Sequence, residues 1–224
     1  MREQAHTLFL ILSGVFIAAL VSCNLIFQKF FSWSPFGLYT FEISVGILPY
    51  PITFLVTDII SEIYGRKKAN KVVLAGLFSS LFVLAIIMAA NATQATEWSP
   101  IDNDVFSSVF GLTGIAVGAS MLAYLLAQFI DIRVFHFWKK LTKGKYLWLR
   151  NNASTFTSQL VDTATILILL CLSGSIAWDK FWLLLINGFL FKVIMAMIDT
   201  PILYLVIGLI RKRFNLKDGQ ELEF

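Results

Sequence analysis

Apolar runs alternate with short polar and basic breaks along the whole chain, and six of the runs are long enough to cross a bilayer as helices. They lie near 8–27, 44–64, 71–92, 106–130, 153–173 and 181–210. A helix needs about 20 residues to cross the roughly 30 Å of hydrocarbon. The pattern therefore predicts an all-α polytopic membrane protein, a bundle of six transmembrane helices forming a single domain over residues 1–224. The first run carries Leu20-Val21-Ser22-Cys23, which looks like a lipoprotein cleavage box. The apolar run continues to Phe27 with no polar start after the cysteine, so it reads as a span. Gly14, Ala18 and Ser22 add a small-residue stripe suited to close helix packing, and Gly114, Gly118, Ala119, Ala123 and Ala127 do the same for the fourth run. Pro201 predicts a kink or a tilted continuation in the sixth.

The breaks orient the bundle. With the N-terminus inside, fifteen Lys and Arg residues fall on the cytoplasmic side, among them Arg66, Lys139, Arg150 and Arg211. Only Lys29 and Lys180 fall outside, which predicts both termini in the cytoplasm and a multi-pass protein of the cytoplasmic (inner) membrane. The basic and aromatic segment 131–152 reads as a membrane-hugging loop.

Composition agrees, with 58% hydrophobic residues, 14% charged residues, 21 phenylalanines and a mean hydropathy of +0.77. The net charge of +4 sits in clusters between apolar runs, the pattern of topology rather than of nucleic-acid binding. Cys23 and Cys171 read as buried hydrophobes. Two histidines and no HExxH, GxSxG or Walker loop point away from a metal, a cofactor or an enzyme.

The apolar runs also hold ionisable residues, which are costly in lipid at roughly 2.5–3.5 kcal/mol each. In LPYPITFLVTDIISEIYGRKKANK, residues 48–71, Asp58 and Glu62 share one helix face. Pro49 and Pro51 predict either a plain kink or a break near Tyr50 with a new helix from Ile52 and Thr53. In the second case Tyr50 and Phe54 offer aromatic faces to a flat ligand. The fourth run ends in Gln128 and Asp131, the fifth presents Gln159 and Asp162, and the sixth holds Lys192 with Asp199 seven residues on. Turned inward, these stripes make a polar cavity; Gln128 and Asp131 read equally as boundary residues. Counted against Lys192, Asp58, Glu62 and Asp162 leave acid in excess. Either some carboxyls carry protons or a ligand brings donors or positive charge.

The segment PYPITFLVTDIISEIYG resembles the hallmark of the queuosine precursor transporter family, also classed among vitamin uptake transporters. The resemblance continues in AQFIDIRVF at 127–135, RNNASTFTSQLVDT at 150–163 and FKV at 191–193, and so covers essentially the whole chain. It implies a six-span importer of 7-cyano-7-deazaguanine or 7-aminomethyl-7-deazaguanine. It also implies a base-binding pocket of Asp58, Glu62, Gln128, Asp131, Asn152, Gln159, Asp162 and Lys192. The partners are then a small deazaguanine and the lipid bilayer, with a homo-oligomer left open. The alternative is a substrate-binding subunit of an ATP-driven vitamin importer, docking a partner through the stripe of Gly14, Ala18 and Ser22.

Overall fold

The structure is a computed structural model and describes residues 2–26, 29–34, 37, 40–110, 114–172 and 177–222. Helix α1 (Arg2–Ile26) is followed by a two-stranded antiparallel hairpin, β1 (Phe30–Trp33) and β2 (Phe41–Ser44), and a short 3-10 turn. Then come α2 (Tyr50–Tyr64), α3 (Arg66–Ala92), the short α4 (Asn103–Phe110), α5 (Gly114–Leu141), α6 (Leu147–Leu172) and α7 (Phe181–Phe214). Among the described residues, four stretches are long and apolar enough to cross a membrane: Arg2–Ile26, Arg66–Ala92, Met121–Leu141 and Trp178–Phe214. Their outward faces expose large apolar side chains such as Phe78, Phe82 and Leu205, which suit lipid. This is the helical architecture of a polytopic membrane protein.

Helix α2 is the axis of the bundle. It packs against α1, α3, α5 and α7, and from Val56 to Tyr64 every side chain is buried. Pro49 caps it and Pro51 occupies its first turn, where a missing N–H costs nothing. The helix thus starts at Tyr50, where the break was expected, two residues before the expected start at Ile52. The preceding 3-10 turn and hairpin are features the hydrophobic pattern did not reveal. At 15 residues α2 is only about 22 Å long, too short to span hydrocarbon alone. Gly65, at φ 83°, turns the chain sharply into α3, and the Glu221 carboxylate fills the space a Cβ would take.

Three expectations are corrected by the helix boundaries and faces. Residues of the fourth run lie in α4 and α5, and α5 continues to Leu141, eleven residues past the expected end at 130. The segment 131–152 is no long loop: α5 and α6 meet through a tight turn, with Lys143, Gly144 and Tyr146 all at positive φ. The stripe of Gly14, Ala18 and Ser22 is exposed. Helix α1 packs instead through Phe16 and Leu20, which lie so close to Gly76 of α3 that a Cβ there would meet the Phe16 ring at 2.5 Å. In α5, Ala123 and Ala127 are fully buried as a packing seam requires, whereas Gly118 has open space beside it. Helix α7 runs without interruption through Pro201. The expected span ends at 27 and 173, residues 111–113 and the side chain of Ala119 lie outside the described residues.

Candidate functional site

The polar residues of α2, α5, α6 and α7 fall into three layers along the bundle. From Tyr50 to Glu62 the axis of α2 covers about 18 Å, so the layers are distinct stations rather than one pocket.

The first layer surrounds Tyr50. Its hydroxyl lies 2.8 Å from Asp162 Oδ2 and 3.2 Å from Gln159 Oε1. Lys192 Nζ donates to the same Asp162 oxygen at 2.6 Å and sits 4.9 Å from the centre of the Tyr50 ring. Asp162 is 2% exposed, and its other oxygen has no hydrogen-bond partner among the described residues. Tyr50, Phe54 and Tyr124 form an aromatic trio with ring centres 5.3–6.1 Å apart. Beside them, between α2, α6 and α7, a narrow cleft is bordered by Tyr50, Phe54, Gln159, Phe191, Lys192 and Asp199. The hairpin reaches this wall, since Trp33 packs edge-on against Phe191 at 5.5 Å.

The second layer joins α2 to α5 and α6. Gln128 is fully buried, donates to the Tyr124 hydroxyl at 2.5 Å and accepts from Thr57 at 3.3 Å. Asp131 is fully buried as well and accepts from Ser158 at 3.0 Å. Neither residue is a boundary residue.

The third layer is centred on Glu62, which is fully buried. Arg150 lies 2.5 Å from Glu62 Oε1, Arg211 pairs with the same oxygen, and Lys139 is 3.7 Å from Oε2. Arg150 is itself fully buried, donating to the carbonyls of Gly144 and Lys145 and lying over the Phe135 ring. The chain's last described residues close this end: Glu221 accepts from Lys139, Asp218 pairs with Arg211, and Leu222 N–H donates to Ile63 O at 2.6 Å.

Of the residues singled out in the sequence, Tyr50, Phe54, Gln159 and Lys192 border the cleft, and Asp162 lies behind them, bonded to Tyr50 and Lys192. Asp58, Asp131 and Gln128 lie deeper, and Asn152 is tied to Thr200 and to the Trp148 carbonyl at the flank of α6. Glu62 stands apart from the cleft, its charge met by three cations. The excess of acid in the core is correspondingly smaller than the spans alone imply. Arg150, Arg211 and Lys139 were read only as topology markers, and Asp199 only as a neighbour of Lys192. A buried acid in need of a cation was the signal that could have drawn the three basic residues in.

The family described as "Putative vitamin uptake transporter" matches residues 44–206, which include the first two layers and, of the third, Glu62, Lys139 and Arg150. The chain belongs to this family of membrane transporters. It is 31% identical over 169 residues to the "Probable queuosine precursor transporter" of Bacillus subtilis (strain 168), covering 75% of this chain and 72% of that one. It is 24% identical to the "Queuosine precursor transporter" of Escherichia coli (strain K12) over 224 residues, covering 99% and 95% of the two chains. A "Probable queuosine precursor transporter" of Haemophilus influenzae is 30% identical over 128 residues, 56% of this chain and 50% of that one. No solved structure matches the chain.

Proposed function

We propose that this transporter imports the queuosine precursors 7-cyano-7-deazaguanine and 7-aminomethyl-7-deazaguanine across the cytoplasmic membrane. In this reading the bundle crosses six times with both termini inside, α2 and α6 being the crossings whose polar content other helices shield. The basic end, where Arg66, Lys139, Arg150 and Arg211 gather, then faces the cytoplasm.

One observation carries the substrate assignment: Tyr50, Gln159 and Lys192 border an aromatic cleft, and Asp162 lies directly behind them, bonded to Tyr50 and Lys192. A deazaguanine presents two adjacent N–H donors and a carbonyl on one flat ring system. Asp162 has a buried oxygen with acceptor capacity to spare for the donor edge. Lys192 and Gln159 supply donors for the carbonyl, while Tyr50 and Phe54 give the ring its apolar faces. Asp199, bordering the same cleft, suits the ammonium of the aminomethyl form. Behind the cleft, Gln128 holds Tyr124, Asn152 holds α6 to α7, and Glu62 with its cations seals the cytoplasmic end.

The test is uptake of labelled 7-cyano-7-deazaguanine into liposomes holding only this protein, without ATP. Entry that Asp162→Asn abolishes supports the reading. A requirement for ATP and a second protein would instead favour a subunit of an ATP-driven importer, and uptake unchanged in Asp162→Asn removes the assigned recognition.

A further inference from the structure

The residues that follow α7 fold back beneath the bundle. Asn215 ends the helix in the left-handed conformation at φ 53°, and its N–H and that of Leu216 both donate to Arg211 O. A second turn follows, with Gly219 at φ 78° and the Lys217 N–H bonded to the Gln220 side chain at 3.1 Å. The resulting strap, residues 215–222, touches α2, α5, α7 and the α5–α6 turn. Leu222 N–H donates at 2.6 Å to Ile63 O, one of the last-turn carbonyls of α2 that have no partner within the helix. Glu221 accepts from Lys139 of α5 at 3.2 Å, and Asp218 pairs with Arg211 of α7. Gly219 lies against Gly144 in the α5–α6 turn, so close that a Cβ on Gly144 would meet its Cα at 3.0 Å. Leu216 and Leu222 pack, partly buried, on the main apolar core.

Two of these contacts run through cations that also hold Glu62. Lys139 lies 3.7 Å from Glu62 Oε2 and donates to the Glu62 carbonyl at 3.1 Å. Arg211 pairs with Glu62 through Nη2 and with Asp218 through Nη1. Movement of either cation therefore disturbs both the buried cluster and the strap. The helices joined here are those that wall the cleft: Glu62 belongs to α2, Arg150 to α6 and Arg211 to α7. Arg150 also donates to the carbonyl of Gly144, the residue on which the strap rests. A molecule leaving the cleft toward this end has to part the three helices, and that separates Arg211 from Ile63 and pulls on the strap between them. The side chains of Asp218 and Glu221 are 78% and 45% exposed, so their pairs are individually weak and sensitive to salt. Such contacts suit a latch that opens in each cycle rather than a permanent staple.

We propose that the strap 215–222 is the latch of an inner gate. It ties the ends of α2, α5 and α7 together beneath the cleft while base loads from the outer side, and its release lets base leave toward the cytoplasm. The proposal rests on the import reading above for the direction of travel. Asp218 and Glu221 set the strength of the latch, and Leu216 and Leu222 are its apolar seat. Ser154 offers a place to read its state. It is fully buried on α6, four residues from Arg150 and so on the same face, between the ion cluster and Gln159 at the cleft.

The experiment uses inverted membrane vesicles holding the full chain with Ser154→Cys, treated with a membrane-impermeant methanethiosulfonate. The same chain without that change gives the background from the buried Cys23 and Cys171. The new thiol should react slowly beneath the native strap and about tenfold faster in Asp218→Lys/Glu221→Lys, which reverses two exposed pairs. On the native strap, raising salt from about 0.1 M to about 1 M shortens the Debye length from about 10 Å to about 3 Å and should speed the reaction, an effect absent from the variant. The salt measurement on the native strap decides by itself should the variant fail to fold. Vesicles preloaded with 7-cyano-7-deazaguanine should label faster than empty ones, since each turnover opens the latch. Labelling at one rate in the native and reversed straps overturns the latch, and so does a native rate that ignores salt. Native labelling that ignores the base, in a chain that takes base up into liposomes, overturns the strap's part in import. No base uptake by the native chain overturns the import reading alone, and the variant and salt rates still decide the latch.

Discussion

The Lys192–Asp162 pair permits a quantitative test, because each partner can be neutralised without changing its size greatly. In the native chain Lys192 Nζ lies 2.6 Å from Asp162 Oδ2, with side-chain exposures of 15% and 2%. Removing one member of a buried pair costs roughly 3–5 kcal/mol, since the other is left charged without its partner. Partial exposure of Lys192 and the hydrogen bond from Tyr50 to Asp162 both soften that cost, so about 3 kcal/mol is expected for Lys192→Met or Asp162→Asn. That is a factor of roughly a hundred in the unfolding equilibrium. In Lys192→Met/Asp162→Asn neither charge remains, and most of the loss returns, because replacing both partners of a buried pair is often near neutral. Equilibrium unfolding of the purified protein in mixed micelles gives the four stabilities of this cycle. Uptake stays lost in all three variants, since in the proposed pocket the same atoms contact the base. If each single variant costs under about 1 kcal/mol, or if the double variant is no better than the worse single one, the pair is not coupled and the geometry drawn for the cleft fails.

Two further outcomes follow from the other contacts. Tyr50→Phe keeps the ring but removes the hydroxyl that meets Asp162 and Gln159, and binding of 7-cyano-7-deazaguanine should weaken by roughly tenfold in calorimetry, the effect of about one to two hydrogen-bond equivalents. Glu62→Gln leaves Arg150, Arg211 and Lys139 facing one another around a neutral amide, so the melting temperature of the purified protein should fall more than it does for Asn152→Ala, whose partner Thr200 is only half-buried.

Much of this arrangement was legible in the chain because polar residues are conspicuous in apolar runs. Asp162, Lys192 and Gln159 stood out for that reason, and Pro49 and Pro51 marked the start of α2 to within two residues. The hairpin was hidden because its strands are only four residues each, and an aromatic-rich stretch such as FFSW has no periodicity long enough to read. Arg150 was hidden for a different reason. On a single sequence an arginine beside a polar turn looks solvated, and only the fold brings Glu62 to within an ion-pair distance of it. The same holds for Gln128 and Asp131, which lay at the edge of an apolar run. Helix α5 continues for ten residues beyond Asp131, and this carries both side chains into the core.

The central claim is that the α2–α6–α7 cleft recognises a 7-deazaguanine through Asp162. Equilibrium competition tests it most directly: labelled 7-cyano-7-deazaguanine is bound to the purified chain and challenged with unlabelled deazaguanines, guanine and unrelated vitamins. Both deazaguanines should displace the label, unrelated vitamins should not, and Asp162→Asn should bind none of it. Displacement by an unrelated vitamin with no effect of the deazaguanines, or full binding by Asp162→Asn, would contradict the account.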